Sequence, residues 1–152
     1  MQKNIVGHRF MSYSLLNNHN KNKTMETTYF MIIDDDSDDR FFFNEVVINM
    51  PNSAECMEAN GCEEAIDLLR TAEQLPHYIF LDINMPRLDG RECLRQLKRD
   101  ASLKHIPVIM YSTSFSEETI KEFHILGASS YLNKPTDINN LSAQILEAVK
   151  DL

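Results

Sequence analysis

The 152-residue chain contains only 4 glycines, 5 prolines and 3 cysteines, and each scarcity removes a class of protein. Little glycine and proline, beside 43% hydrophobic and 25% charged residues, argues against disorder and for one soluble domain with a core of useful size. The cysteines, Cys56, Cys62 and Cys93, are odd in number and lack CxxC or paired metal-ligand spacing. Neither a zinc site nor a disulfide framework is indicated, and reduced structural thiols are expected. The five histidines, His8, His19, His77, His105 and His124, share no spacing that would mark a metal site or a nucleophile's partner. Apolar runs reach only strand length, far short of the roughly 20 residues of a membrane span. No Gly-rich fingerprint follows any apolar run, which removes a nucleotide-cradling loop. Basic residues are also in short supply, and the net charge of -8 disfavours nucleic acid, whose phosphates reward Lys and Arg clusters.

The basic residues are unevenly placed. Residues 1–25 hold Lys3, Arg9, Lys21 and Lys23 and no acid, leaving the other 11 of the 15 basic residues and all 23 acidic ones to residues 26–152. The Asn-rich stretch from Asn17 to Lys23 has no apolar periodicity, so residues 1–25 are expected to form a flexible basic extension before a folded domain at 26–152. The extension lacks the apolar core of a secretory signal. An organellar targeting segment and a misassigned start, with Met25 as the initiator, remain open.

From Thr27 onward strand-length apolar runs alternate with helix-length amphipathic segments. Strands are predicted over Tyr29–Asp34, Ala54–Ala59, Tyr78–Asp82, Val108–Ser112 and Ser130–Asn133, and helices over Asp38–Asn49, Cys62–Thr71, Gly90–Arg99, Glu117–Leu126 and Asn139–Lys150. Ser116 suits the cap of the fourth helix and Gly127 its stop. Strict β/α alternation implies a parallel sheet with helices on both faces, a doubly wound α/β fold, because each crossover is right-handed and must cover the sheet.

The ends of these strands carry the chemistry. Asp34 and Asp35 follow the first, Asp82 ends the third, Ser112 ends the fourth and Lys134 follows the fifth. Parallel neighbours would bring them to the carboxyl edge, where open α/β sheets bind ligands. Three carboxylates tolerate one another only with a cation present or with raised pKa values. A hard divalent cation such as Mg²⁺ takes one or two carboxylates together with waters and phosphate oxygens, so the set with Lys134 describes a phosphoryl site. A carboxylate can attack phosphorus to give an acyl phosphate, and Asp82 suits that role.

Asp34-Asp35, Asp82 within Asp-Ile-Asn-Met-Pro-Arg-Leu-Asp-Gly, Ser112 and Lys134-Pro135 together resemble the receiver domain of bacterial two-component response regulators, over about residues 27–151. The resemblance implies a flavodoxin-like sheet of order 2-1-3-4-5, an order for which a chemotaxis receiver is itself a standard example. It implies Asp82 as phosphoacceptor and Asp34, Asp35, Asp82 and the main-chain carbonyl of Asn84 as ligands of Mg²⁺, with Mn²⁺ an alternative. It further implies Ser112, Lys134 and Tyr131 as phosphate-binding and switch residues, and Pro86, Gly90 and Pro135 as structural turn residues, the Lys134–Pro135 bond often being cis. Asp36, Asp38 and Asp39 extend the acidic run and are read as a solvated helix start with no ligand role.

The implied function is that of a phosphorylation-controlled signalling module in a two-component phosphorelay. Its expected partners are a sensor histidine kinase or phosphotransfer protein and an unknown downstream protein. No nucleic acid or membrane is expected, and the location is cytoplasmic. The chain is expected to be no enzyme beyond its own phosphotransfer and self-dephosphorylation, and a stand-alone receiver, since no output module fits after the fifth helix. Two alternatives are weighed against this. An Asp-nucleophile phosphatase would want a second acid two residues after Asp82, where Asn84 stands, and a degenerate scaffold would be expected to lose Asp82 or Lys134, which are both present.

Overall fold

A computed structural model describes residues 24–152; the expected basic extension lies almost wholly outside them. Five parallel strands form one sheet in the order β2-β1-β3-β4-β5. In chain order the elements are β1 (Thr28–Ile33), α1 (Ser37–Ile48), β2 (Ala54–Ala59), α2 (Cys62–Thr71), β3 (Tyr78–Asp82), α3 (Gly90–Arg99), β4 (Val108–Ser112), α4 (Glu117–Leu126), β5 (Ser130–Asn133) and α5 (Leu141–Val149). The flavodoxin-like expectation therefore holds in strand number, direction and order. Differences are local. Asp34 stands just outside β1, and a 3-10 turn over Ile138–Asn140 replaces the predicted first turn of α5. That turn is held by Asp137, whose carboxylate accepts from the Asn139 amide at 3.0 Å, a local bond that competes with α-helical pairing.

Side-chain alternation along the strands builds two cores. Met31, Ile33, Ile79, Leu81, Val108 and Met110 face α2, α3 and Phe123 of α4. Phe30, Ile32, Phe80, Ile109 and Tyr111 face Phe43 and Val47 of α1 and Leu141, Ile145 and Val149 of α5. The inner strands β1, β3 and β4 are buried on both faces, whereas β5 is half-buried at the edge, as expected of a parallel sheet covered on both sides. Helix ends follow local chemistry. The Ser116 hydroxyl accepts from the Thr119 amide at 3.1 Å, and Gly127 closes α4 at φ 103°, a left-handed conformation that favours glycine.

One expectation fails. Cys62, at the start of α2, and Cys93, on α3, form a disulfide with their Cα atoms 5.5 Å apart, and only Cys56 is free. Their separation of 31 positions in the sequence hid the pairing. It arises because neighbouring helices on one sheet face bring the two side chains together.

Candidate functional site

Register explains why the acidic groups meet. Ile33 pairs with Leu81 across β1 and β3, so the next residues, Asp34 and Asp82, leave adjacent strands at the same level. Asp82 pairs in turn with Tyr111 of β4, and Ser112 with Asn133 of β5, one residue before Lys134. The polar or charged residues that are buried, among the described residues, are Asp34, Asp82 and Ser112. Burying such groups is costly, and the molecule does it at one place. Carboxylate oxygens of Asp34, Asp35 and Asp82 all lie within 4.8 Å of one another.

Asp34 is fixed from several directions. Its amide donates to the Ala59 carbonyl at 3.1 Å, its Oδ1 accepts from the Asp36 amide at 3.0 Å, and its carbonyl accepts from Arg40 Nη1 at 2.8 Å. Lys134 supplies the positive charge. Its Nζ is 2.8 Å from Asp34 Oδ2, 2.9 Å from Asp39 Oδ2 and 3.5 Å from Asp82 Oδ1. The Lys134 amide donates to the Ser112 carbonyl at 2.7 Å, which ties the lysine to the end of β4. Below it lies the Tyr111 ring, whose centroid is 5.4 Å from Nζ. Tyr111 packs edge-on against Phe43 and Phe80, so the charged cluster stands on the aromatic core.

One lysine does not balance three carboxylates. Burial, reinforced by the neighbouring Asp34 charge, pushes the Asp82 carboxyl up to about 6 against the pull of Lys134. Burial also raises Asp34, with Lys134 and the Asp36 amide opposing. Burial by itself would lower Lys134, but its bonds to Asp34 and Asp39 outweigh that and hold the ammonium above its ordinary value. A carboxylate whose folded-state pKa is raised binds its proton more tightly folded than unfolded. In metal-free protein Asp82 therefore costs nothing below about pH 4, and its cost grows as pH rises to about 6 and then stays level. Asp82→Asn is expected to be more stable than the parent at pH 7 by about 1–3 kcal/mol, with the difference vanishing near pH 4. Urea unfolding in EDTA across this range checks it, and a pH-independent difference would contradict it.

After Asp82 the chain loops back tightly. Arg87 takes φ 65°, the Leu88 amide donates to the Pro86 carbonyl at 2.9 Å, and the Gly90 amide donates to the Ile83 carbonyl at 2.8 Å. Asp89 caps α3 by accepting from the Glu92 amide at 3.1 Å. A Cβ on Gly90 would stand 2.5 Å from the Asp82 carbonyl oxygen and 2.7 Å from Ile83 Cα, so α3 starts directly against the backbone of the acidic strand end. Asn84 and Pro86 are exposed in this loop.

Similarity to known proteins identifies the family. The family of the response regulator receiver domain matches residues 30–146. The chain belongs to that family. The receiver is 36% identical over 87 residues to the probable methanogenesis regulatory protein FilR2 of Methanothrix harundinacea, covering 55% of this chain and 56% of that protein. It is 38% identical over 66 residues to the response regulator Rcp1 of Synechocystis sp., covering 43% and 45%. The aligned parts thus take in about half the length of these curated relatives. The Mn²⁺-bound form of Rcp1 superposes with a TM-score of 0.68 at 26% identity over 81% of this chain and 94% of that one. The phosphorylated cyanobacterial phytochrome response regulator RcpA does so with a TM-score of 0.71 at 28% identity over 83% and 93%.

Two residues of the receiver site escaped the sequence reading. Asp39 is not a merely solvated helix residue, because it grips Lys134, and Tyr111 forms the floor. The signal for Asp39 was available: it lies four residues beyond Asp35, in the first turn of α1. Asp36 does match its reading, as the helix cap accepting from the Asp38 and Asp39 amides at 2.9 and 3.2 Å. Tyr131 stands on the α4 side of β5. Its hydroxyl donates to the Ile120 carbonyl at 2.7 Å, and its ring meets Phe115 edge-on. Pro135 is half-buried and, with no cis peptide bond among the described residues, the Lys134–Pro135 bond is trans, unlike the cis form the resemblance suggested. No helix among the described residues is long and apolar enough to cross a membrane.

Proposed function

We propose that this receiver is a phosphorylation-controlled signalling module whose Asp82 accepts a phosphoryl group from a sensor histidine kinase or phosphotransfer protein. The single observation that carries this reading is the gathering of the buried polar residues Asp34, Asp82 and Ser112, with Lys134, at one edge of the sheet. A structural role alone gives no reason to bury charge of one sign in excess. The signal passes on through contact with a downstream protein, and the chemistry goes no further than the receiver's own phosphorylation and its reversal, in the cytoplasm.

Asp34, Asp35, Asp82 and the main-chain carbonyl of Asn84 would hold Mg²⁺, or Mn²⁺. An all-oxygen donor set with surplus negative charge fits a hard divalent cation, and the Mn²⁺-bound form of Rcp1 supports the choice. Bound there, the cation supplies charge neutralisation for the carboxylates and the incoming phosphoryl oxygens. An Asp82 carboxylate oxygen forms the new bond to phosphorus as the donor's bond breaks, leaving an acyl phosphate on Asp82. Lys134 pairs with one phosphoryl oxygen and the Ser112 hydroxyl donates to another. Tyr131 follows Ser112, exchanging its bond to Ile120 for an inward position. The phosphorylated form of RcpA supports this chemistry in a relative.

Acetyl phosphate with Mg²⁺ is expected to add one phosphoryl group per chain, seen by intact-mass spectrometry and lost on treatment with hydroxylamine, which cleaves acyl phosphates. A chain that gains none under these conditions or from any histidine kinase of its source would refute the reading. The metal is tested separately. Millimolar Mg²⁺ at low ionic strength is expected to raise the melting temperature, because a ligand held only by the folded state stabilises it by about 2.7 kcal/mol at 100 times its Kd. Asp35 is exposed, so Asp35→Ala should fold normally yet lose most of this response. Equal melting curves of the parent with and without Mg²⁺ would count against the metal site.

A further inference from the structure

Lys134 has more carboxylate around it than an ammonium group can serve equally. Its three N–H donors face Asp34 at 2.8 Å, Asp39 at 2.9 Å and Asp82 at 3.5 Å. Two of these are hydrogen-bonding distances, and the third, to the nucleophile, is not. We propose that Asp39 is a positioning residue that holds Lys134 off Asp82 until a phosphoryl group on Asp82 displaces it, so that Asp39 sets how tightly the site engages phosphate. This rests on the phosphoacceptor reading given above and adds the regulation of that site.

Exchange is forced by charge and directed by exposure. A phosphorylated Asp82 presents a dianionic group beside an ammonium already 2.8 and 2.9 Å from two carboxylates, and drawing the ammonium toward that group loosens its hold on one of them. Asp34 is wholly buried, and a carboxylate released there would meet no water, only a metal if one is bound. The Asp39 side chain is 37% exposed and can be rehydrated when released. Its backbone is meanwhile fixed in the first turn of α1 by the bond from its amide to Asp36 Oδ1. The carboxylate therefore waits within reach of Lys134 and recaptures it when the phosphoryl group leaves. Asp38, one residue earlier, is exposed and has no side-chain partner among the described residues, which makes it the natural control for charge alone.

The test uses beryllofluoride, a non-covalent mimic of the phosphoryl group, titrated calorimetrically into the full chain in Mg²⁺. Asp39→Asn keeps the shape of the side chain and removes the negative charge that strengthens its hold on Lys134. It is expected to bind beryllofluoride about fivefold more tightly than the parent, the size of a modest ion pair. Asp38→Asn should remain near the parent value, and Asp39→Glu, which restores the charge, should return most of the way to it. Unchanged or weaker binding by Asp39→Asn would overturn the proposal, as would an equal gain in Asp38→Asn, which would reduce the effect to bulk charge. Failure of the parent itself to bind would defeat the phosphoacceptor reading as well, whereas a parent that binds while Asp39→Asn does not differ defeats this inference alone.

Discussion

The Asp82→Ala protein, incubated with acetyl phosphate and Mg²⁺, is expected to gain no phosphoryl group, its labelling falling to background while its fold is kept. Ala removes the one buried carboxylate that ends an inner strand and so the attacking oxygen. Asp34 cannot replace it, being fully buried and occupied by Lys134 and the Asp36 amide. Loss of like charge from the cluster also relieves repulsion, so retained stability at neutral pH is part of the expectation. Lys134→Ala should separate chemistry from its consequence. With Asp82 present some labelling should persist, but the phosphoryl group loses the cation that anchors it, and the link to Ser112 and Tyr131 goes with it. Labelling of Asp82→Ala at the parent level would refute the assignment of the nucleophile. Full partner binding by phosphorylated Lys134→Ala would leave the nucleophile standing and sink the switch.

Gly90→Ala is expected to be damaging out of proportion to the single carbon it adds. In a helix interior Ala is favoured over Gly by up to about 1 kcal/mol, so at Gly90, the first residue of α3, propensity alone predicts at most a small gain. Sterics decide otherwise. The added carbon would meet backbone at 2.5 and 2.7 Å, from the Asp82 carbonyl oxygen and Ile83 Cα, and backbone held between two buried strands cannot move aside as a flexible side chain can. Overpacking of this kind costs about 1–3 kcal/mol, and relief comes only by shifting α3 or the strand end that carries Asp82. Urea unfolding should therefore show lower stability, and phosphorylation by acetyl phosphate should slow at temperatures where the variant is still folded. A Gly90→Ala protein with the parent's unfolding midpoint would show that the loop absorbs the carbon without strain.

Much of this was legible in the sequence, for identifiable reasons. Inner strands such as Tyr78–Asp82 and Val108–Ser112 are apolar runs ended by a polar residue, and a parallel sheet must bury both faces of such strands, so run and boundary are written together. Strand ends likewise placed Asp34, Asp82, Ser112 and Lys134 at one edge, because β/α alternation leaves little freedom in how parallel strands meet. What stayed hidden depends on distances between elements rather than on order within them. Asp39 carries the same side chain as Asp36 and Asp38, and only the helix phase turns it toward Lys134, 95 positions away. Cys62 and Cys93 have no spacing signature, since their meeting reflects the packing of α2 beside α3. Tyr111 looks like any strand aromatic until Lys134 lies across its ring.

The cation and the anions of the site are not equally secured. Asp34 and Asp82 leave β1 and β3, inner strands paired on both sides, whereas Lys134 follows β5, a four-residue strand at the margin paired with β4 alone. Opening free energies vary across a native protein and are lowest where few buried contacts hold the chain. Fraying of β5 would thus withdraw the positive charge while the carboxylates stayed in place. Amide exchange at Tyr131, Leu132 and Lys134 should be faster than at Ile33 and Leu81, and anything that pins β5, a bound phosphoryl group or a partner laid along its free edge, would slow it by closing the same gap.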